Sequence, residues 1–288
     1  MKKLEIITSV DMPVDEKLEI KKTRFTSDGR DCGKRISIVT GIHGDELEGQ
    51  YVCWQVARRI QEHPELLTGT VDLYPAMNPL GIDSITRGIP AFDLDMNRLF
   101  PGSRDGAMTE YMPGDFTPHV RIMDTGRDYL EKAKEFGLPY IVKRKPRPYD
   151  TATLNYNWQI WDTDSFSLYS NTTERIDEES AQQMVQSVMN FMIAEGMITG
   201  QKYQSYQSQL ISDGELIPVR PYSAGLFQSR IKVGQRVERD QQLAEIIDPY
   251  DGAVMEKLNS PVTGTVFFVH NHPMTYANTA VLKIVPGE

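Results

Sequence analysis

The sequence predicts an α/β fold, a mixed sheet flanked by helices, followed by a small all-β domain of barrel-sandwich type. Three observations predict it. A short β-branched run, Ile36-Ser-Ile-Val-Thr-Gly41, ends in glycine and gives way to helical spacing of apolar residues. The chain has 288 residues, 40% hydrophobic and 25% charged, enough for one large domain with a smaller appendage. After about residue 202 the texture changes to short alternating segments with glycine turns.

Taken in order, residues 36–41 read as a buried strand, His43 to Glu46 as a tight turn, and Leu47, Val52, Val56 and Ile60 as one face of a helix. Thr70 to Tyr74 is a second strand, leading into a Pro/Gly-punctuated loop that runs from Pro75 to Gly102. Tyr129, Leu130, Ala133 and Phe136 predict a helix over 124–136, closed by Gly137. Ser165 to Tyr169 reads as a core strand, and Glu178 to Ile193 as a helix with Ala181, Met184, Val188 and Met192 on one face. Beyond it, Ile217-Pro-Val, Gly225-Leu-Phe, Leu243-Ala-Glu-Ile-Ile, Gly264-Thr-Val-Phe-Phe and Val281-Leu-Lys-Ile-Val are short strands. The predicted domains are 1–202 and 203–288.

Composition narrows the partners. A net charge of −9 disfavours nucleic acid and anionic membranes, both of which reward clustered Lys and Arg, and favours a small polar substrate. Cys32 and Cys53 have neither metal nor redox spacing, so no disulfide framework is expected and a reducing cytoplasm is the default. Lys2 and Lys3 are followed by Asp11, Asp15 and Glu16 before any useful apolar run, which argues against export. No window approaches the roughly 20 apolar residues of a spanning helix.

Chemistry concentrates early. His43-Gly-Asp-Glu46 supplies an imidazole and a carboxylate, ligand types that suit zinc in an open hydrolytic site. As a bare tetrapeptide the pattern is weak; its place at the carboxyl end of a strand, where open α/β sheets carry their sites, strengthens it. Gly41 and Gly44 let the backbone turn tightly and project both side chains to one side. In the next loop Arg87, Asn97 and Arg98 offer a bidentate fork for a carboxylate and a neutral hydrogen bond, which suits an acidic or amide-bearing substrate.

Gly41-x-His43-Gly-x-Glu46, Asn78-Pro79, Arg87 and Asp95-x-Asn97-Arg98-x-Phe-Pro-Gly102 together resemble the succinylglutamate desuccinylase/aspartoacylase family, a branch of the zinc carboxypeptidase-like hydrolases. Val233-Gly-Gln-Arg-Val in the later module resembles that family's C-terminal domain, including its biotinyl/lipoyl-like stretch. The resemblance covers most of the chain and is most specific over residues 41–102. It implies a zinc carboxypeptidase-like fold and a metal-dependent deacylase acting on the amide C–N bond of a small N-acyl amino acid or peptide. His43 and Glu46 match the first two metal ligands; Arg87, Asn97 and Arg98 match positions that contact the substrate carboxylate or the polarised carbonyl.

The chain departs from the family pattern twice. The helix and strand that carry the family's third ligand, a histidine, are missing between about Glu110 and Pro118. His119 is the nearest replacement; a solvent-exposed loop histidine is the alternative. The family's catalytic glutamate falls at Tyr169, with Glu174 close by as a possible base or as a cap for the following helix. Asp162 and Asp164 are further acids, and His270-Asn-His272 reads as a hairpin turn more readily than as a metal site. Lys257 lacks the neighbours of a cofactor-bearing lysine, so no covalent cofactor is expected; the β module is expected to wall the cleft or support a homo-oligomer. A relative that keeps the fold and binds a small ligand or a protein without catalysis is the competing expectation.

Overall fold

The structure, a computed structural model, describes residues 1–90, 92, 94–102 and 113–287. A long hairpin opens the chain, β1 (Lys2–Asp11) and β2 (Lys17–Thr26), followed by β3 (Arg35–Val39), α1 (Glu48–Glu62), β4 (Thr70–Tyr74) and the short α2 (Pro79–Ser84). Next come β5 (Gly114–Phe116), β6 (His119–Met123), α3 (Leu130–Lys134), β7 (Tyr140–Arg144), α4 (Leu154–Ile160), β8 (Ser167–Tyr169), α5 (Glu178–Ala194) and β9 (Gln209–Ser212). Eight short strands finish it: β10 (Ile217–Val219), β11 (Gly225–Ser229), β12 (Arg236–Val237), β13 (Gln242–Ile247), β14 (Val254–Asn259), β15 (Gly264–His270), β16 (Met274–Thr275) and β17 (Leu282–Pro286). The mixed α/β class read from the sequence is the class observed, with several sheets and few helices.

Two four-stranded sheets share one core. The first has the order β1-β2-β4-β3, with β3 parallel to β4 through the α1 crossover; the second has the order β8-β6-β7-β9. Alternation along β4 decides which face is inside: Val71 and Leu73 are buried toward the helices, while Asp72 points to the other face. Val52, Val56 and Ile60 of α1 and Ala181, Val185, Val188 and Met192 of α5 complete that core, which extends to Val120, Ile122 and Ile141 of the second sheet. Each such Val, Ile or Met side chain contributes about 1.5–3 kcal/mol by leaving water. Among the described residues the first sheet ends on β3 and the second on β8, and packing rather than a ladder joins them. Met108 to Met112, where the sequence comparison starts the missing segment, lies outside the described residues.

The C-terminal strands form two sheets around Val237, Leu243, Ile246, Val266, Leu282 and Ile284. Two links tie them to the preceding sheets. β5 adds antiparallel to β15, and Phe267, Phe268 and Val285 meet Val142, Ile211 and Leu216 in a third cluster. β9, beyond the expected boundary at 202, pairs parallel with β7. The helix expected over 124–136 is shorter: β6 runs to Met123, Gly126 takes a φ of 85°, and Asp128 accepts a hydrogen bond from Leu130 N at 3.0 Å, which delays the helix to Leu130. Among the described residues no helix is long and apolar enough to cross a membrane.

Candidate metal and substrate site

β3 delivers the chain to a turn whose shape only glycine permits. Gly41 has a φ of 64°, and a Cβ there would lie 2.6 Å from Pro75 O; one on Gly44 would lie 2.0 Å from Gly81 C. Gly44 N donates to Thr86 O, and Asn78 N donates to Gly41 O, so the turn is pinned against α2. Asn78 is buried as the cap of α2, accepting from Gly81 N at 3.0 Å and donating to Gly88 O at 2.9 Å.

That turn brings four charged side chains together. His43 Nδ1 lies 3.1 Å from Glu46 Oε2, and His43 Nε2 lies 3.0 Å from Asp95 Oδ1. Arg87 Nη1 donates to Glu46 Oε1 at 2.6 Å, and its Nη2 approaches Asp95 Oδ2 at 3.8 Å. Asp95 also accepts from Asn97 N at 2.8 Å, which fixes its carboxylate. Burial pushes the His43 imidazole down, but the hydrogen bonds to Asp95 and Glu46 outweigh it and raise the pKa to about 9. Burial also opposes ionisation of Asp95, yet His43 and the two arginines hold it down to about 2. Glu46 is lowered by His43 and Arg87 against the same burial, whereas burial and the neighbouring Glu46 raise Asp45.

Part of this donor set suits zinc. Two ligand atoms on a tetrahedral zinc with bonds near 2.0–2.1 Å stand about 3.3 Å apart, close to the 3.1 Å between His43 Nδ1 and Glu46 Oε2. A carboxylate on the far ring nitrogen is the usual way a ligating imidazole is oriented, and Asp95 occupies that place. Two corners and the orienting group therefore fit. Among the described residues no cluster of three or more His, Cys, Asp or Glu side chains converges to complete it.

His119 is buried on β6, its Nδ1 2.9 Å from Thr117 O and its ring stacked on Tyr169 with Phe267 alongside; none of these belongs to the His43 cluster. Neither of its sequence readings, third ligand or exposed loop residue, describes that position. Burial and the positive charge of Arg121 push its pKa down to about 3. Tyr169 receives a hydrogen bond from Arg121 Nη1 at 2.8 Å. Glu174 pairs with His272 at 3.1 Å, and the cap of α5 is Asp177, which accepts from Ser180 N at 3.0 Å. The cap role expected for Glu174 is thus filled by a residue that sits next to the helix. Asp162 and Asp164 make surface ion pairs with Arg127 and Lys132. His270 turns its two nitrogens to Pro113 O and Met274 O at the β15–β16 turn.

In the substrate loop, Asn97 Oδ1 accepts from Leu154 N at 3.2 Å and so anchors α4. Arg98 donates from Nη1 to Asn97 O, while its Nε is buried without a hydrogen-bond partner. Sequence reasoning passed over Asp95 and Asp45. Asp95 stood inside the motif already singled out, an acid two residues before Asn97 in a position suited to cap a turn.

Residues 32–155 match the sequence model of the succinylglutamate desuccinylase/aspartoacylase catalytic domain. An N-alpha-acetyl-L-2,4-diaminobutyric acid deacetylase of Halomonas elongata is 22% identical over 261 residues, covering 75% of this chain and 71% of that protein. A succinylglutamate desuccinylase/aspartoacylase structure from Rhodobacter sphaeroides superposes with a TM-score of 0.81 at 21% identity, over 100% of this chain and 95% of that one. The product-bound ectoine utilization protein EutE (DoeB) of Ruegeria pomeroyi gives 0.82 at 18% identity, over 99% and 95%. Residues 32–155 thus resemble that catalytic domain, within a fold shared from end to end with the solved structures.

Proposed function

We propose that the protein hydrolyses the amide bond of a small N-acylated amino acid, with zinc held by His43 and Glu46. The observation that supports this most directly is the convergence of His43 Nδ1 and Glu46 Oε2 at 3.1 Å, with the opposite ring nitrogen on Asp95. When bound, such a metal supplies Lewis acidity toward the acyl carbonyl and lowers the pKa of a water. The chain's own residues do the rest. Asp95 keeps the imidazole turned so that Nδ1 faces Glu46. Arg87 sits against both carboxylates and favours their ionised forms, Glu46 as a ligand and Asp95 as the group that orients the imidazole. Arg98, whose Nε is uncommitted, takes the substrate carboxylate through a charge-assisted hydrogen bond. The named activity of the Halomonas relative makes Nα-acetylated diamino acids the first substrates to try.

A second reading is favoured by three commitments elsewhere in the molecule: no third ligand among the described residues, Glu174 on His272, and the Tyr169 hydroxyl on Arg121. On that reading the protein binds the acylated amino acid without cleaving it. Metal analysis of the purified chain, combined with calorimetry and hydrolysis assays on Nα-acetyl amino acids, separates the two. Bound zinc with turnover, both lost in His43→Ala, supports the hydrolase. Binding without zinc or turnover supports the alternative, and neither binding nor turnover overturns both.

A further inference from the structure

β1 is a ten-residue strand at the end of its sheet, and among the described residues its outer edge has no partner. Such an edge is a template for another strand, and proteins ordinarily blunt it with charged side chains, a bulge, proline, short length or a cover; β1 has Lys2, Lys3 and the bulge at Ile7 but is long, free of proline and, among the described residues, uncovered. Here it carries apolar side chains in water: Leu4 is 65% exposed, Ile6 55%, Ile7 47% and Val10 53%. The β1–β2 ladder skips Ile7, which leaves that residue outside it at the middle of the strand.

The order of residues along β1 is self-complementary when the strand is reversed. With two copies antiparallel and Ile7 facing Ile7 on the two-fold axis, Leu4 stands opposite Val10 and Lys3 opposite Asp11, at both ends of the pairing. Within the chain Lys3 pairs with the part-buried Glu5 at 3.0 Å and Asp11 with the exposed Lys17 at 3.7 Å, and the Lys3 and Asp11 side chains are 66% and 86% exposed. Both are therefore able to reach across an axis. A parallel pairing would set Lys2 and Lys3 against their own copies and would place Asp11 beside Asp11.

We infer that β1 is a homodimer surface: a second copy of this chain pairs antiparallel along it, joining the two first sheets into one eight-stranded sheet and covering Leu4, Ile7 and Val10. The surface does not involve the His43 cluster, so it stands whatever that site does.

The test uses the full chain and exchanges charge. Sedimentation velocity across a wide concentration range should show a monomer–dimer equilibrium. In its own homodimer the Lys3→Asp variant sets a new carboxylate against Asp11, and the Asp11→Lys variant sets a new ammonium against Lys3, so each alone should shift toward monomer. An equimolar mixture of the two places like charges at neither end of a mixed pair: two carboxylates of one chain face two ammonium groups of the other, and the dimer should recover. Because the mixture contains only the two damaged chains, its recovery cannot come from repaired folding. A wild-type chain that stays monomeric at every concentration overturns the inference. So does a dimer that ignores both substitutions, or a mixture that remains monomeric.

Discussion

Two charged clusters are built on the same sheet, and they differ in what they leave undone. On its open face Asp72, fully buried, accepts from Arg24 Nε at 2.8 Å, Arg35 Nε at 2.7 Å and Lys22 Nζ at 3.4 Å, with Glu5 closing on Lys22 at 3.3 Å. Every oxygen of that carboxylate has a cation. At the end of β3, the His43 cluster has the same ingredients, yet Asp95 Oδ2, Asp45 Oδ1 and Arg98 Nε are buried without a hydrogen-bond partner. Buried polar atoms are nearly always satisfied, so a concentration of unsatisfied ones marks a place that something else completes. The first cluster has the satisfied partners of framework; the second has the open valences of the proposed site.

The largest expected effect tests the framework half of that contrast. Asp72→Asn keeps the shape and removes the charge, leaving three cations around a neutral amide. Breaking one side of a buried pair costs about 3 kcal/mol, at the low end of the usual range because Arg35 is half exposed. The urea midpoint should fall accordingly, with metal content per folded molecule unchanged. A stable variant that no longer retained metal would place Asp72 in the site and erase the distinction.

Arg98→Ala addresses the other half. Its Nε has no partner to lose and its Nη1 gives up only the hydrogen bond to Asn97 O, so stability should fall by no more than about 1 kcal/mol, whereas a hydrogen bond from a charged donor to substrate is worth about 1.5–3 kcal/mol. The expected result is a rise in KM of roughly ten- to a hundredfold with zinc content intact. Clear destabilisation at unchanged KM would make Arg98 a structural residue.

A more gradual effect follows from His43. Its folded pKa is about 9 against an ordinary 6.5, so the folded protein holds a proton that the unfolded chain releases within that window. The stabilisation is complete below pH 6.5 and is lost as pH rises to about 9. Metal-free wild type should therefore show a falling urea midpoint across that range, and His43→Phe should flatten the slope. Zinc binding needs the deprotonated ring nitrogen, so added zinc should release protons in the same window. An identical slope in the variant would assign the titration to another group.

Much of this is legible in the sequence. β3, β4, α1 and α5 declared themselves through periodicity, and Gly41, His43, Gly44 and Glu46 through a strand that ends in glycine. The β1–β2 hairpin did not, because nearly every β1 side chain faces water and along β2 only Lys22 and Phe25 are buried, too few to impose alternation. Asp95 was missed for another reason. Its role comes from a contact with His43 that is 52 residues distant in the chain, and only the fold of the intervening loop creates it. His119 was misread because its burial is set by Phe116 and Phe267, and Phe267 belongs to a strand far downstream. Local pattern shows which residues can do chemistry; long-range packing decides which of them are kept dry and structural.

The smallest expected effect bears on that last point. Tyr169→Phe retains the ring that stacks on His119 at 4.5 Å and that lies 4.3 Å from the Arg121 guanidinium carbon; only the hydroxyl accepting from Arg121 is removed. Arg121 Nε already lacks a partner, so the guanidinium would lose one more hydrogen bond in a half-buried place. That loss is worth about 1 kcal/mol of stability, visible as a modest shift in the urea midpoint. Zinc content and turnover should both be unchanged, because the hydroxyl is committed to the second sheet and not to the His43 cluster. If turnover collapsed while stability and metal held, Tyr169 would be acting in the glutamate position that the family resemblance gives it, and the boundary between framework and site would have to be redrawn to include β8.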